Sequence, residues 1–171
     1  MGVDHQYGMA DVTVDGEKVS GVGLRYKGNG TFIEGQQSGR LSFKIDFNEF
    51  EDGLKFRGLT KINFNNNASD PSLLREALSY AMFREADIPC SRIGFARLTL
   101  TVPGEFKDKS LGLYTVVEQV DKRFLKDRYG SADGLLLKPS TFGVFRDLGD
   151  DWKEYEIGYI PKTDPTDAQK K

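Results

Sequence analysis

Residues 41–47 read LSFKIDF, a strict alternation of apolar and polar side chains. Alternation of period two predicts a strand with one face on a core and the other turned away from it. Leu41, Phe43, Ile45 and Phe47 make the core face; Ser42, Lys44 and Asp46 make the other. A lysine and an aspartate two residues apart thus point the same way from one strand. The pattern recurs along the chain. Residues 11–15 (DVTVD) alternate and run into Asp15-Gly16, a strong hairpin signal. Lys18–Lys27 reads as the next strand, with Leu24 and Tyr26 on one face and Arg25 and Lys27 on the other. Residues 59–64 (LTKINF), 93–102 and 111–120 add strands, the last two joined across Pro103-Gly104. Leu135–Leu137 is a short buried one.

Helical signals interrupt the strands. Ser69 or Asp70 can cap a helix whose first turn suits Pro71. Leu73, Leu74, Ala77, Leu78, Ala81 and Met82 then form one apolar stripe, and Asp87-Ile88-Pro89 ends the segment. Asp121 can cap a short helix over Lys122–Arg128 that stops near Gly130. Residues 140–160 are mixed, with Phe142, Phe145, Trp152, Tyr155 and Tyr159 among them, and 162–171 is a polar end. The order predicts an α+β fold: a twisted, mainly antiparallel sheet with one main amphipathic helix, in a single domain over 1–171. One helix leaves a sheet face for ligand, solvent or another lobe.

Composition narrows the chemistry. Among 171 residues, 24 Lys and Arg stand against 26 Asp and Glu, a net charge of -2. That balance argues against DNA as the main partner. No apolar run reaches the length of a membrane span, and the start carries no secretory leader pattern. The single cysteine, Cys90, excludes an internal disulfide and a multi-cysteine zinc site. The single histidine, His5, lies near the start, a poor place for a catalytic imidazole. No carboxylate pair has a spacing that asserts acid–base work.

Several groups could carry chemistry. In Arg25-Tyr26-Lys27-Gly28-Asn29-Gly30 a cationic strand ends in a glycine-flanked bend whose amides can approach a phosphate. The plainer alternative is a hairpin on an Asn-Gly turn with two solvated cations. The bend is not a Walker loop, because no Gly-Lys-Ser/Thr ending follows. Lys44 projects from a strand, as phosphate-holding lysines of some nucleotide sites do; from periodicity alone a polar sheet face is the better reading. Arg75 and Glu76 lie just off the apolar stripe, either within reach of Lys44 or Asp46 as ion-pair partners or, the plainer reading, as solvated charges of an ordinary helix start. Glu118-Gln119, where a strand runs into the Asp121 cap, reads as a hinge or as a plain strand edge. Lys138, after Leu135–Leu137, is an isolated cation.

Five segments carry a resemblance: LRYKGNGT (24–31), LSFKIDFNEF (41–50), GLTKINFNNNASDPSLLREALSYAMFREADIP (58–89), SLGLYTVVEQVDKRFLKDRYG (110–130) and GLLLKP (134–139). In order and together they resemble the CotH-type spore-coat kinase family of atypical protein kinases. The resemblance implies a kinase-like N-terminal lobe. Nucleotide would be bound by Arg25, Lys27, Gly28, Asn29, Gly30, Lys44, Glu118 and Lys138, with the helix after Pro71 in the regulatory position. Glu76 and Glu85 are both open as the helix acid, and Arg75 is the more characteristic residue of that block. The resemblance further implies ATP with Mg or Mn, and Ser/Thr of secreted, cell-surface or spore-coat proteins as substrate of the full-length parent. The family's metal-binding and catalytic aspartates belong to a later, C-terminal lobe. Asp147, Asp150 and Asp151 do not match them, so no catalytic or metal role is expected in this chain, and turnover by it alone is not expected. A different class of reading is a non-catalytic surface or coat module that binds protein or carbohydrate through exposed aromatics around Trp152 and Tyr155.

Overall fold

The computed structural model describes residues 5–28, 30–140 and 147–170. The chain divides into two compact units, one ending at Gln119 and one beginning at Val120.

In the first unit the elements run β1 (Gly8–Val14), β2 (Glu17–Lys27), α1 (Gly30–Ser38), β3 (Ser42–Asp46), β4 (Lys61–Asn65), α2 (Arg75–Glu85), β5 (Ile93–Val102) and β6 (Phe106–Glu118). Among the described residues the strands form one six-stranded sheet in the order β1-β2-β3-β4-β6-β5, antiparallel at every pairing. Val14 pairs with Glu17, so Asp15-Gly16 is the two-residue hairpin that its sequence predicts. Both turn residues have positive φ, 51° and 84°, as that turn type requires.

One face of the sheet makes the core. Val22, Phe43, Ile45, Phe47, Phe56, Ile62, Phe64 and Tyr114 are buried together. Val12 and Val14 from one edge strand, and Leu98 and Leu100 from the other, pack on the same cluster. Both edges reach one core only if the sheet is curled. Phe47 and Phe56 stack at 5.6 Å inside it. The Tyr114 ring is fully buried, and its hydroxyl donates to the Leu41 carbonyl at 3.0 Å. His5, expected in a loose terminus, instead packs its ring 4.4 Å from Phe32.

Two expectations are corrected. No tight hairpin joins β2 to β3: α1 stands between them. Its sequence, GTFIEGQQS, has two glycines and two β-branched residues, poor helix formers that hide the element. The second correction concerns α2, which starts at Arg75 and not at Pro71. Asp70, Pro71 and Ser72 form a turn in which Asp70 accepts from the Ser72 N–H at 3.0 Å and the Arg75 N–H at 2.7 Å. Asp70 thus serves the helix start from outside it.

The second unit holds α3 (Lys122–Tyr129), β7 (Leu137–Pro139), α4 (Trp152–Gly158) and β8 (Tyr159–Pro161), with β7 and β8 paired antiparallel. Asp121 caps α3 as expected, accepting from the Arg123 N–H at 2.9 Å. The strand expected at Leu135–Leu137 lies two residues later, at β7. Trp152 and Tyr155 are half-buried rather than exposed, because the Tyr155 hydroxyl takes the Leu148 N–H and its ring lies 6.2 Å from that of Tyr159. Phe142 and Phe145 lie outside the described residues. Among the described residues no helix is long and apolar enough to cross a membrane.

Replacing Phe47 by alanine removes a ring with no solvent exposure from the curled core. The expected cost is about 3–5 kcal/mol, read from urea unfolding; a loss below about 1 kcal/mol would contradict this placement.

Candidate functional site

The face of the sheet opposite the core collects the polar positions of three adjacent strands. Arg25 pairs with Lys44, and Lys44 with Asn63. Lys27 pairs with Ser42, and Asp46 pairs with Gly23 on one side and Lys61 on the other. Because side chains alternate along each strand, Arg25, Lys27, Lys44, Asp46, Lys61, Asn63 and Asn65 share this face. Four of the seven are cations.

Most of these groups are satisfied. Lys61 pairs with the buried Asp46 carboxylate at 3.0 Å. Arg25 donates to the Tyr26 carbonyl at 3.2 Å and lies 5.1 Å over the Tyr7 ring. Asn63 donates to the Val117 carbonyl and to Gln119, each at 3.2 Å. Lys27 donates to the Asn65 side-chain oxygen at 2.8 Å, and the Asn65 amide donates to Glu76 of α2 at 2.7 Å. A Lys27–Asn65–Glu76 chain therefore ties α2 to the sheet. Burial, foremost, pushes the Glu76 carboxyl up, against the pull of Asn65 and Lys27.

Lys44 differs. No hydrogen bond or ion pair within the described residues takes up its ammonium. Burial lowers its pKa from 10.5 to about 8, with repulsion from Lys61, Arg25 and Lys27 adding and Asp46 opposing. A half-buried cation among cations, without a counter-charge of its own, is set to receive an anion.

The predicted site residues separate accordingly. Arg25, Lys27, Lys44 and Asp46 share the face. Gly28 follows Lys27 directly, with a φ of 101° that only glycine adopts at no cost. Gly30 opens α1, and Asn29 lies outside the described residues. Glu76 reaches the sheet, but to Asn65 and not to Lys44. Arg75 turns back, donating to the Ser69 carbonyl at 3.1 Å with its Nε 3.6 Å from Asp70. The expected ion pairs to Lys44 are thus absent among the described residues, and Asp46 is taken by Lys61. Glu118 falls in the register row of Ile45 and Ile62, on the core side. Its carboxylate is held by Arg92, through the backbone N–H at 2.9 Å and Nε at 3.0 Å. Lys138 sits exposed on β7 of the second unit, opposite Ile160. Lys61 and Asn63 escaped the sequence reading, although the alternation in LTKINF already set them on one face, and Asn65, which reads with Asn66 and Asn67 as a turn before the helix, instead ends β4 and bridges Lys27 to Glu76. Among the described residues no group of three or more His, Cys, Asp or Glu is placed to hold a metal ion. The donor set around Lys44 suits an anion, not a divalent cation.

Residues 24–170 match the family model described as CotH kinase protein. The chain belongs to that family. The matched span includes the whole cationic face. Inner spore coat protein H of Bacillus subtilis (strain 168) is 32% identical over 113 residues, covering 63% of this chain and 29% of that protein. The chain thus spans under a third of the length of this curated CotH relative. The family expected from the five segments is the family found.

A folded state that lowers the Lys44 pKa holds fewer protons than the unfolded chain between about pH 8 and 10.5. Stability therefore rises with pH across that window, and the cost of the charged form is fully present below it. Lys44→Met is expected to stabilise the chain at pH 7 by about 1–2 kcal/mol, after discounting for partial exposure. Thermal melts at pH 7 and 10 check this: the gain shrinks at the higher pH, and a destabilised variant at pH 7 would contradict it. Glu76→Gln keeps the acceptor for Asn65 and removes a half-buried charge, so its unfolding free energy at pH 7 is expected to match or exceed that of the parent; a fall of more than about 1 kcal/mol would show that the carboxylate charge itself holds α2.

Proposed function

We propose that the first unit is the nucleotide-binding lobe of a CotH-type protein kinase, and that Lys44 holds phosphate oxygens of ATP. The observation that carries this is the Lys44 ammonium, half-buried among cations, with no hydrogen bond or ion pair to it among the described residues and with Asp46, the acid that acts on it, paired to Lys61. Arg25 and Lys61 flank it on neighbouring strands and add positive potential where a triphosphate would lie. The bend at Gly28 leads directly into α1, and a helix start favours negative charge. Lys27 stands beside that bend, steadied by Asn65 and Glu76. These groups position the phosphates and neutralise their charge. Phosphoryl transfer also uses a divalent metal, Mg or Mn, which the cationic groups around Lys44 would not themselves ligate. Family membership supports Ser or Thr of a protein as the acceptor, and the likeness to an inner spore coat protein supports a coat or surface location for the parent.

Binding has a protonic signature. Near pH 8 about half of Lys44 is neutral. A bound triphosphate restores its proton, so ATP or tripolyphosphate binding takes up about 0.5 proton. Calorimetry at pH 8 in two buffers of different ionisation enthalpy reads this directly. Lys44→Met is expected to lose both the uptake and most of the affinity. Absence of binding at millimolar tripolyphosphate, or binding that Lys44→Met leaves unchanged, would overturn the proposal.

A further inference from the structure

The Lys27–Asn65–Glu76 chain holds an amine, a carboxamide and a carboxyl in one line of contacts. Lys27 pairs with Ser42, and the register that pairs Phe43 with Phe64 sets Ser42 beside Asn65. Ser42 is small and only 4% exposed, so the lysine arm passes over it to the strand beyond. The Lys27 ammonium donates to Asn65 Oδ1 at 2.8 Å. Adding the C=O bond, Nζ lies no more than about 4 Å from the carboxamide carbon Cγ. On the other side of the same carboxamide, Nδ2 donates to Glu76 Oε1 at 2.7 Å, within reach of a general acid. All three residues are half-buried, and Thr115, the partner of Asn65 on β6, is fully buried. Moving one proton from Lys27 to Glu76 gives a neutral amine and a neutral carboxyl with the total protonation unchanged. Partial desolvation lowers the cost of that transfer, and burial already pushes the Glu76 carboxyl up.

We propose that Lys27 and Asn65 become joined by an amide bond between their side chains, with Glu76 as its acid–base group. Lys27 Nζ, as the neutral amine, attacks Asn65 Cγ, and the Nζ–Cγ bond forms. The Cγ–Nδ2 bond breaks, and Nδ2 takes the proton of the Glu76 carboxyl and leaves as ammonia. Nζ gives one proton to Glu76 in exchange, so the carboxyl ends as it began. No electrons are gained or lost, and no co-reactant takes part. An unactivated carboxamide reacts slowly with an amine in solution; holding the two in contact removes the bimolecular cost. The bond fixes the end of β2 to the end of β4 across β3, next to the Gly28 bend. It also closes a loop between residues 38 apart in the chain, which restricts the unfolded state. The inference is independent of nucleotide binding: Arg25, Lys44 and Lys61 take no part in the reaction and keep their charges.

Intact-mass spectrometry of the full chain, sampled over days in the folded state, tests it. The chain is expected to become lighter by one ammonia. A protease digest is then expected to contain a branched peptide that joins Lys27 to Asn65. Lys27→Arg keeps a cation and a donor but has no amine to attack with at neutral pH, so its mass is expected to stay whole. Glu76→Gln keeps the contact to Asn65 and removes the transferable proton, so the ammonia loss is expected to slow at least about a hundredfold. Circular dichroism melts confirm that both variants are folded while they are compared. The parent held unfolded in urea is expected to form no branched peptide. A folded parent whose mass never falls would overturn the proposal. So would an ammonia loss that maps only to a backbone succinimide, one that persists in Lys27→Arg, or a branched peptide that forms as fast in Glu76→Gln.

Discussion

The electrostatics of this chain turn on one ammonium group. Lys44 projects from the middle of β3 into a half-buried space bordered by Arg25, Lys27 and Lys61. Asp46 is the nearest acid on its own strand, yet that carboxylate is committed to Lys61. The fold therefore keeps a cation in partial desolvation among like charges, an arrangement that opposes folding. The curled sheet makes it tolerable. All the apolar positions of the alternating strands close on one core, so the polar positions of β2, β3 and β4 gather on the other face. The same alternation that builds the core concentrates the positive charge.

Asn65 gives that face its second property. Its side chain accepts from Lys27 and donates to Glu76, so the end of β4 joins the strand before the Gly28 bend to the inward side of α2. Direct pairing of a strand lysine with a helix acid would neutralise both. The amide between them keeps the charges apart and leaves Lys27 beside the bend. Glu76 makes its inward contact through that amide, beside half-buried Ala77 and Tyr80, while Leu74, Leu78 and Met82 are exposed.

Much of this was legible in the residues. Strict alternation places β2, β3 and β5 and sets Lys44 and Asp46 on one face. Asp15-Gly16 and Asp121 mark a turn and a cap whose local chemistry decides the geometry without tertiary help. The rest depended on contacts that sequence patterns do not encode. Gly30 and Gly35 disguise α1 as a loop, although the Gly35 carbonyl accepts from the Arg40 N–H at 3.1 Å to close the segment. Helical spacing reveals a stripe through Leu74, Leu78 and Met82 but not which side of the helix meets the sheet; Asn65 settles that by drawing Glu76 inward. Glu118 reads as a hinge residue from its place in the chain, whereas its side chain is held by Arg92 across the sheet edge.

A direct titration of the Lys44 ammonium tests the central claim. With lysines labelled at Cε and Nζ, and the Lys44 signal assigned by its loss in Lys44→Met, the pH dependence of its chemical shift reports the charge on that one group. A midpoint near 8 is expected in the folded chain without ligand. A midpoint at the ordinary lysine value of 10.5 would mean that the ammonium is solvated or paired, and the anion site built around it would lose its basis.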